Sequence, residues 1–154
     1  MPRFEVLAAA PACSDAAAVV RVRNILPDGR EIYPGQAAFF EGENENLPRS
    51  IYTAAPKWRD GTDNEAAALA SCCRSCLQLA AKYRLLTVDF PSAAAETGYP
   101  VSQAATVTER AIMDFLREHT DFVRVRMICD SEQEAEIYRR TYNLWYAETK
   151  SERL

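Results

Sequence analysis

Phe90-Pro91-Ser92-Ala93-Ala94-Ala95-Glu96-Thr97-Gly98-Tyr99-Pro100 follows the apolar run Leu85-Leu86-Thr87-Val88 and precedes an amphipathic segment that starts at Val101. An apolar run, a short loop of small residues and an amphipathic run read as strand, loop and helix. A helix start presents free backbone N–H groups and the positive end of its dipole, so this geometry can hold an anion. Glycines would let those N–H groups approach a phosphate closely, whereas this loop is Ala-rich. The candidate contacts are Ala94, Ala95, Glu96, Thr97, Gly98 and Tyr99. The alternative is a plain strand-to-helix connection in which Gly98 supplies a backbone conformation that other residues resist.

Outward from that loop, the chain alternates. Phe4 to Ala8 reads as a strand, and Ser14 or Asp15 caps a helix running to about Asn24, before the turn Pro27-Asp28-Gly29. Gln36 to Phe40 and Ser50 to Thr53 read as strands, and Pro56 to Asp63 as a loop. An Ala- and Leu-rich helix spans about Asn64 to Tyr83. Strand Leu85 to Phe90, helix Val101 to His119, strand Val123 to Ile128 and a Ser131-capped helix to about Thr149 complete the order. This alternation predicts an α/β fold, a three-layer α/β/α sandwich with a mixed, largely parallel sheet. No linker or repeat divides residues 1–154, so one domain is expected.

With 48% of its residues apolar, the chain can bury a core. A net charge of -4 argues against a general nucleic-acid binder, although a single nucleotide could still find a local site. No apolar run reaches the roughly 18 residues of a membrane span, and Glu5 interrupts anything like a signal peptide. Five cysteines, with Cys72, Cys73 and Cys76 crowded together, suit a reducing cytoplasm better than a disulfide framework. The aromatic series Tyr138, Tyr142, Trp145 and Tyr146 recurs at helical spacings, as a packing stripe or a contact with a second subunit in a homo-oligomer.

Several stretches together resemble the macro domain, a family that recognises ADP-ribose. Gly35-Gln36-Ala37 resembles its Gly-Glu/Gln-Ala signature, and Leu47-Pro48 through Ile51-Tyr52-Thr53-Ala54-Ala55-Pro56-Lys57-Trp58 its Leu-Pro…Ile-His-Thr-Val-Gly-Pro…Trp segment. Cys73-Arg74-Ser75-Cys76-Leu77-Gln78-Leu79-Ala80 is similar to its Cys-Tyr-x-Ser-Leu-x-Leu-Ala helix. Phe90-Pro91 and Gly98-Tyr99-Pro100 bracket its second ligand loop. The resemblance implies recognition of ADP-ribose or a related nucleotide, and in some members hydrolysis of ADP-ribosyl or acetyl esters.

The departures fall on ligand positions. The family's first loop reads Ile-Val-Asn-Ala-Ala-Asn before a glycine run, and its asparagines contact the distal ribose and help position water. The counterpart expected here is Val6-Leu7-Ala8-Ala9-Ala10-Pro11, which brings Ala9 and Ala10 to the ligand but supplies no asparagine. The family's second loop reads Ser-Thr-Gly-x-aromatic-Gly, against Ala94-Ala95-Glu96-Thr97-Gly98, where Glu96 adds a negative charge. The family's first strands, with an Asp that contacts adenine, have no counterpart ahead of Phe4. An N-terminally reduced, non-catalytic macro-like module with weak or altered nucleotide recognition is therefore expected, without a cofactor or metal.

Two alternatives belong to other classes. Asp89 and Asp130, read at the ends of neighbouring strands, could share a proton or hold a hard cation with Glu96, giving a hydrolase of changed chemistry. A cleft filled by Ala8, Ala9 and Pro11 would instead leave a structural or protein-interaction module. Cys72, Cys73 and Cys76 share a helix face but lack a fourth zinc ligand, so they read as buried thiols. His119, the one histidine, suits a helix C-terminus. Arg124 and Arg126 alternate with Val123, Val125 and Met127, as on a strand that is wet on one face, and they would guard a sheet edge.

Overall fold

The computed structural model describes residues 3–11, 15–41, 49–92 and 97–152, with side chains as far as Leu144. The strands are β1 (Phe4–Leu7), β2 (Ala18–Val22), β3 (Ala37–Phe40), β4 (Arg49–Thr53), β5 (Thr87–Pro91) and β6 (Arg124–Ile128). The helices are α1 (Glu65–Lys82), α2 (Val101–Glu118) and α3 (Glu132–Glu152). The sheet order is β1-β6-β5-β2-β4-β3, with every pair parallel except β3 against β4. The expected α/β class with a mixed, mostly parallel sheet is therefore present.

Two expectations need correction. The segment read as a helix from Ser14 or Asp15 to Asn24 contains β2, an interior strand between β5 and β4. Its alanines suggested a helix, but Ala18-Val19-Val20-Arg21-Val22 alternates with period two: Ala18 and Val20 are buried in the core while Arg21 faces the other way. β6 is also not an edge. β1 lies against it in parallel, with Phe4 opposite Val125 and Leu7 opposite Ile128, so β1 holds the edge. Arg124 and Arg126 therefore do not guard an edge; they make ion pairs, described below. Trp145 and Tyr146 lie beyond the described side chains.

One face of the sheet carries the core. Phe4, Val20, Ile51, Val88, Phe90, Val125 and Met127 point into a single cluster with Cys73, Cys76, Leu77, Ile112, Phe115, Leu116 and Tyr138 from the helices. α1 supplies Leu69, Cys72, Cys73, Cys76, Leu77 and Ala80, an i, i+3, i+4, i+7 stripe. α1 packs on α2 and α2 on α3. Among the described residues the helices thus form one layer. On the opposite face lie Ala10, Pro11 and Asp15 of the β1–β2 connection.

That second face is polar. In register across it stand Glu5, Arg126, Asp89 and Val19, followed by Ser50. Arg126 donates from Nε to Asp89 Oδ1 at 2.7 Å and from Nη2 to Asp89 Oδ2 at 2.8 Å, a planar two-point pairing. Asp89 is only 2% exposed. Asp15, from the β1–β2 connection, accepts from Arg126 at 3.0 Å and from Arg124 at 2.9 Å. The Asp89 carboxylate pushes the Arg126 guanidinium still higher, with burial opposing it.

Replacing Asp89 by Ala leaves a buried guanidinium short of its main partner. Asp89→Ala should lower unfolding free energy by about 3 kcal/mol, whereas exposed Asp130→Ala should change it by less than about 0.5 kcal/mol, both read from denaturant curves.

A second buried charge is unusual. Glu109 of α2 is fully buried, and neither carboxyl oxygen finds a hydrogen-bond partner. Burial raises its pKa from 4.5 to about 9, so the group is neutral at pH 7. The folded state then holds a proton that the unfolded chain releases, and stability falls as pH rises from about 4.5 to about 9. Glu109→Gln should flatten that slope in thermal melts across the window, and it should stabilise the protein on the alkaline side.

Candidate functional site

The chain leaves β2 toward β4 and β3, and leaves β5 toward β6. The two loops part in opposite directions from adjacent strands, which opens a crevice at their carboxyl ends, the usual ligand position in open α/β sheets. A groove of about 270 Å³ lies there, lined by Ala10 and Pro11 from the β1–β2 connection, Arg21 and Arg23, Asp89 and Pro91. The cleft is thus not filled by Ala8, Ala9 and Pro11: Ala9 and Ala10 are exposed, and Pro11 forms part of a wall.

The opposite side of the rim is tied down from below. Glu65 at the start of α1 accepts backbone N–H bonds from Arg59 at 3.0 Å, Gly61 at 2.8 Å and Asp63 at 2.5 Å. Burial pushes its carboxyl up, but these donors outweigh that and hold it below the usual range. The loop so fixed donates from Trp58 N–H to the Thr97 carbonyl at 3.0 Å, and the Trp58 ring lies 4.7 Å from that of buried Tyr99. Burial and then the Glu65 charge push the Tyr99 phenol up. Gly98 has φ +73°, the conformation its sequence position suggested. Tyr99 is therefore a packing residue, with Thr97 and Gly98 at the surface of its loop. Ala94, Ala95 and Glu96 lie outside the described residues.

Behind the crevice, the Cys72 thiol donates to the Ala54 carbonyl at 3.1 Å and accepts from Gly35 N–H at 3.2 Å. Ser75 Oγ donates to the Gly35 carbonyl at 2.7 Å. α1 thereby sets the ends of β3 and β4. Burial raises the Cys73 and Cys129 thiols to about 12 and lifts Cys76 well above its ordinary value, which suppresses thiolate chemistry. Among the described residues no three His, Cys, Asp or Glu side chains gather as metal ligands. His119 stacks on Phe115 at 3.8 Å and bonds its carbonyl through Nδ1 at 3.0 Å, at the end of the sheet away from the crevice.

The carboxylate pair does not form. Asp89 sits opposite Arg126, and Asp130 lies four residues farther along, about 13 Å away at strand spacing. Asp89 is held by the Arg126 guanidinium, while Asp130 is exposed and its N–H bonds Glu134 Oε1 at 3.1 Å. Glu134 in turn takes a 3.1 Å bond from its own N–H to Ser131 Oγ, which caps α3. Two carboxylates in these settings cannot share a proton.

Residues missed by the sequence reading are Arg21, Arg23 and Asn24. They were hidden by reading β2 as a helix, although the Val/Arg alternation was the available signal. Asn24 is exposed beyond β2, and its carbonyl accepts from Ile32 N–H at 3.0 Å. It lines a second recess of about 350 Å³ with Tyr33, Lys57 and Arg59.

Comparison with known proteins agrees with this architecture. The profile of the Macro domain family matches residues 12–108. The chain is 32% identical over 107 residues to the macro domain-containing protein CT2219 of Chlorobaculum tepidum, covering 69% of this chain and 62% of that protein. It is 32% identical over 134 residues to an O-acetyl-ADP-ribose deacetylase of Salmonella gallinarum, covering 86% of this chain and 72% of the relative. Two variants of the Oceanobacillus iheyensis macrodomain, the second solved with ADPR, superpose with TM-scores of 0.84 and 0.82 at 22% and 21% identity. Each alignment covers 94% of this chain, with 93% and 94% of the respective variants. The profile begins at residue 12, so Val6–Pro11, the expected counterpart of the family's first loop, falls outside the matched span; β2 and the residues after it fall within. A mixed six-stranded sheet in this order, a crevice between β2 and β5 and a family match over most of the chain lead to one statement: the chain belongs to the macro domain family.

Proposed function

We propose that this chain recognises ADP-ribose or a related nucleotide, without hydrolysing it, in the crevice at the carboxyl ends of β2 and β5. The observation that carries the reading is the open groove at that switch point, walled by Ala10 and Pro11 beside the ends of β2 and β5. Relatives named as O-acetyl-ADP-ribose deacetylases and a structural neighbour solved with ADPR support the ligand class. In this reading Ala9 and Ala10 border the ligand on one side. Thr97 and Gly98 border it on the other, where Tyr99 packs against Trp58, while Ala94, Ala95 and Glu96, also expected as contacts, lie outside the described residues. Asp130 stands at the rim beyond β6, and Asp89 anchors the groove floor through Arg126.

Loss of hydrolysis follows from the residues that replace the family's motif. Val19-Val20-Arg21-Val22-Arg23-Asn24 now stands where Ile-Val-Asn-Ala-Ala-Asn is expected, with Arg21 in place of the first asparagine. The glycine run that follows in the family is replaced by Ile25-Leu26-Pro27-Asp28-Gly29. No acid/base carboxylate pair compensates. Asn24 keeps the second asparagine and favours the rival reading, ester hydrolysis like that named for the deacetylase relatives.

Calorimetric titration with ADP-ribose should give a dissociation constant of about 10 μM, near -7 kcal/mol. O-acetyl-ADP-ribose incubated with the protein should remain intact by mass spectrometry. Release of acetate above the no-protein control, lost in Asn24→Ala, would establish the hydrolase reading. Absence of ADP-ribose binding up to millimolar ligand would remove the nucleotide reading.

A further inference from the structure

We propose that Arg21 and Arg23 form a phosphoryl-binding pair on the open face of the sheet, so that this chain grips the phosphates of its nucleotide with guanidinium side chains. The inference rests on the nucleotide reading above and adds the groups that carry recognition.

Arg21 lies in β2 and Arg23 directly follows it, its N–H still donating to the Thr53 carbonyl at 2.9 Å; residues i and i+2 of such an extended segment point to the same side, about 7 Å apart. Arg21 and Arg23 both line the groove beside Pro11, Val19 and Pro91. Several arginines are paired with carboxylates: Arg30 with Asp28, Arg49 with Glu41, Arg84 with Asp121, Arg117 with Asp114, Arg124 with Asp15, Arg126 with Asp89, Arg139 with Glu132 and Arg140 with Glu136. Among the described residues no carboxylate lies within ion-pair distance of Arg21 or Arg23. In a chain of net charge -4, two neighbouring guanidiniums with no acid partner among the described residues are a local positive site.

Their setting suits phosphate. Arg21 Nε donates to Ser50 Oγ at 3.0 Å, which orients the planar head and turns its terminal N–H groups to other acceptors. Of the acids on the same face, Asp89 and Asp15 are occupied by Arg126 and Arg124, and Glu5 stands on β1 at the far edge of the sheet, beyond β6 and β5 from β2. The apolar walls from Ala10, Pro11, Val19 and Pro91 reduce solvent screening and suit a base or a sugar face. The ligand chemistry is therefore a phosphate ester or diphosphate joined to a flat, partly apolar group. Alanines let backbone N–H groups approach such an anion less closely than glycines would, and paired guanidiniums supply charge-assisted donors.

The test is titration of ADP-ribose and of adenosine, which lacks phosphate, into the wild type, Arg23→Gln and the double variant Arg21→Gln/Arg23→Gln. Arg23 is exposed, so its single variant keeps the fold. ADP-ribose affinity should fall about tenfold or more in the double variant and by less in the single one, with adenosine binding unchanged. Added salt should weaken the wild type and barely affect the double variant. Equal ADP-ribose affinity in wild type and double variant would overturn the pair while the nucleotide reading stands. If the wild type binds no ADP-ribose, that reading fails first. Inorganic pyrophosphate followed by amide NMR then decides the pair: shifts at residues 19–24 that vanish in the double variant support it, and no shifts overturn it.

Discussion

A mostly parallel sheet whose described helices all pack on one side has to solve the problem of its other side. In this chain the solution is the two-point contact between Arg126 and Asp89 on neighbouring central strands. A parallel strand buried on both faces would be a continuous apolar run, whereas β5 and β6 place Asp89 and Arg126 between Val88 and Phe90 and between Val125 and Met127. The charged pair satisfies itself, draws Asp15 of the β1–β2 connection onto the sheet, and so positions the strip of chain that walls the groove. Most of what distinguishes the site depends on that face staying polar and uncovered by a helix.

The rim is held from the helical side as well. Glu65 gathers three backbone N–H groups, Trp58 hands the order on to Thr97, and the Cys72 thiol bridges Gly35 and Ala54. A carboxylate satisfied by backbone donors fixes a loop without a charge partner, which leaves the cations of this region available. The thiols are equally structural: burial keeps Cys73 and Cys76 protonated. The side chains that line the crevice therefore come mainly from β2 and the residue after it, from β5 and from the β1–β2 connection.

Much of the fold was legible because its signals are local. Leu69 to Ala80 has helical spacing, Thr87 to Pro91 is a short apolar run ended by a turn, and Ser131 with Glu134 caps α3. β2 was not legible from its alanines, since its conformation is set by neighbours: Ala18 pairs with Val88 on one side and Arg49 on the other. The helix expected there left Arg21, Arg23 and Asn24 out of the candidate residues, although Arg21 and Arg23 line the groove. β6 was expected at an edge because no first strand of the family was evident ahead of Phe4, whereas β1 itself pairs with β6. Asp89 and Asp130 were both read at strand ends, yet β5 runs on to Pro91, placing Asp89 inside the sheet, which only the register reveals.

The comparison of the two anion-binding devices gives the site its logic. Backbone N–H groups in a glycine loop recognise a phosphate through shape, and they need a loop free of side chains that can close around it. Guanidiniums on a strand need no closure, because the strand fixes their roots and Ser50 orients one head. They do need an open sheet face, which a covering helix would remove. The alanines after β5, the arginines at the end of β2 and a face that no described helix covers are therefore mutually consistent features of one arrangement. A site built this way recognises charge before shape, so it should tolerate variation in the sugar more readily than removal of a phosphate.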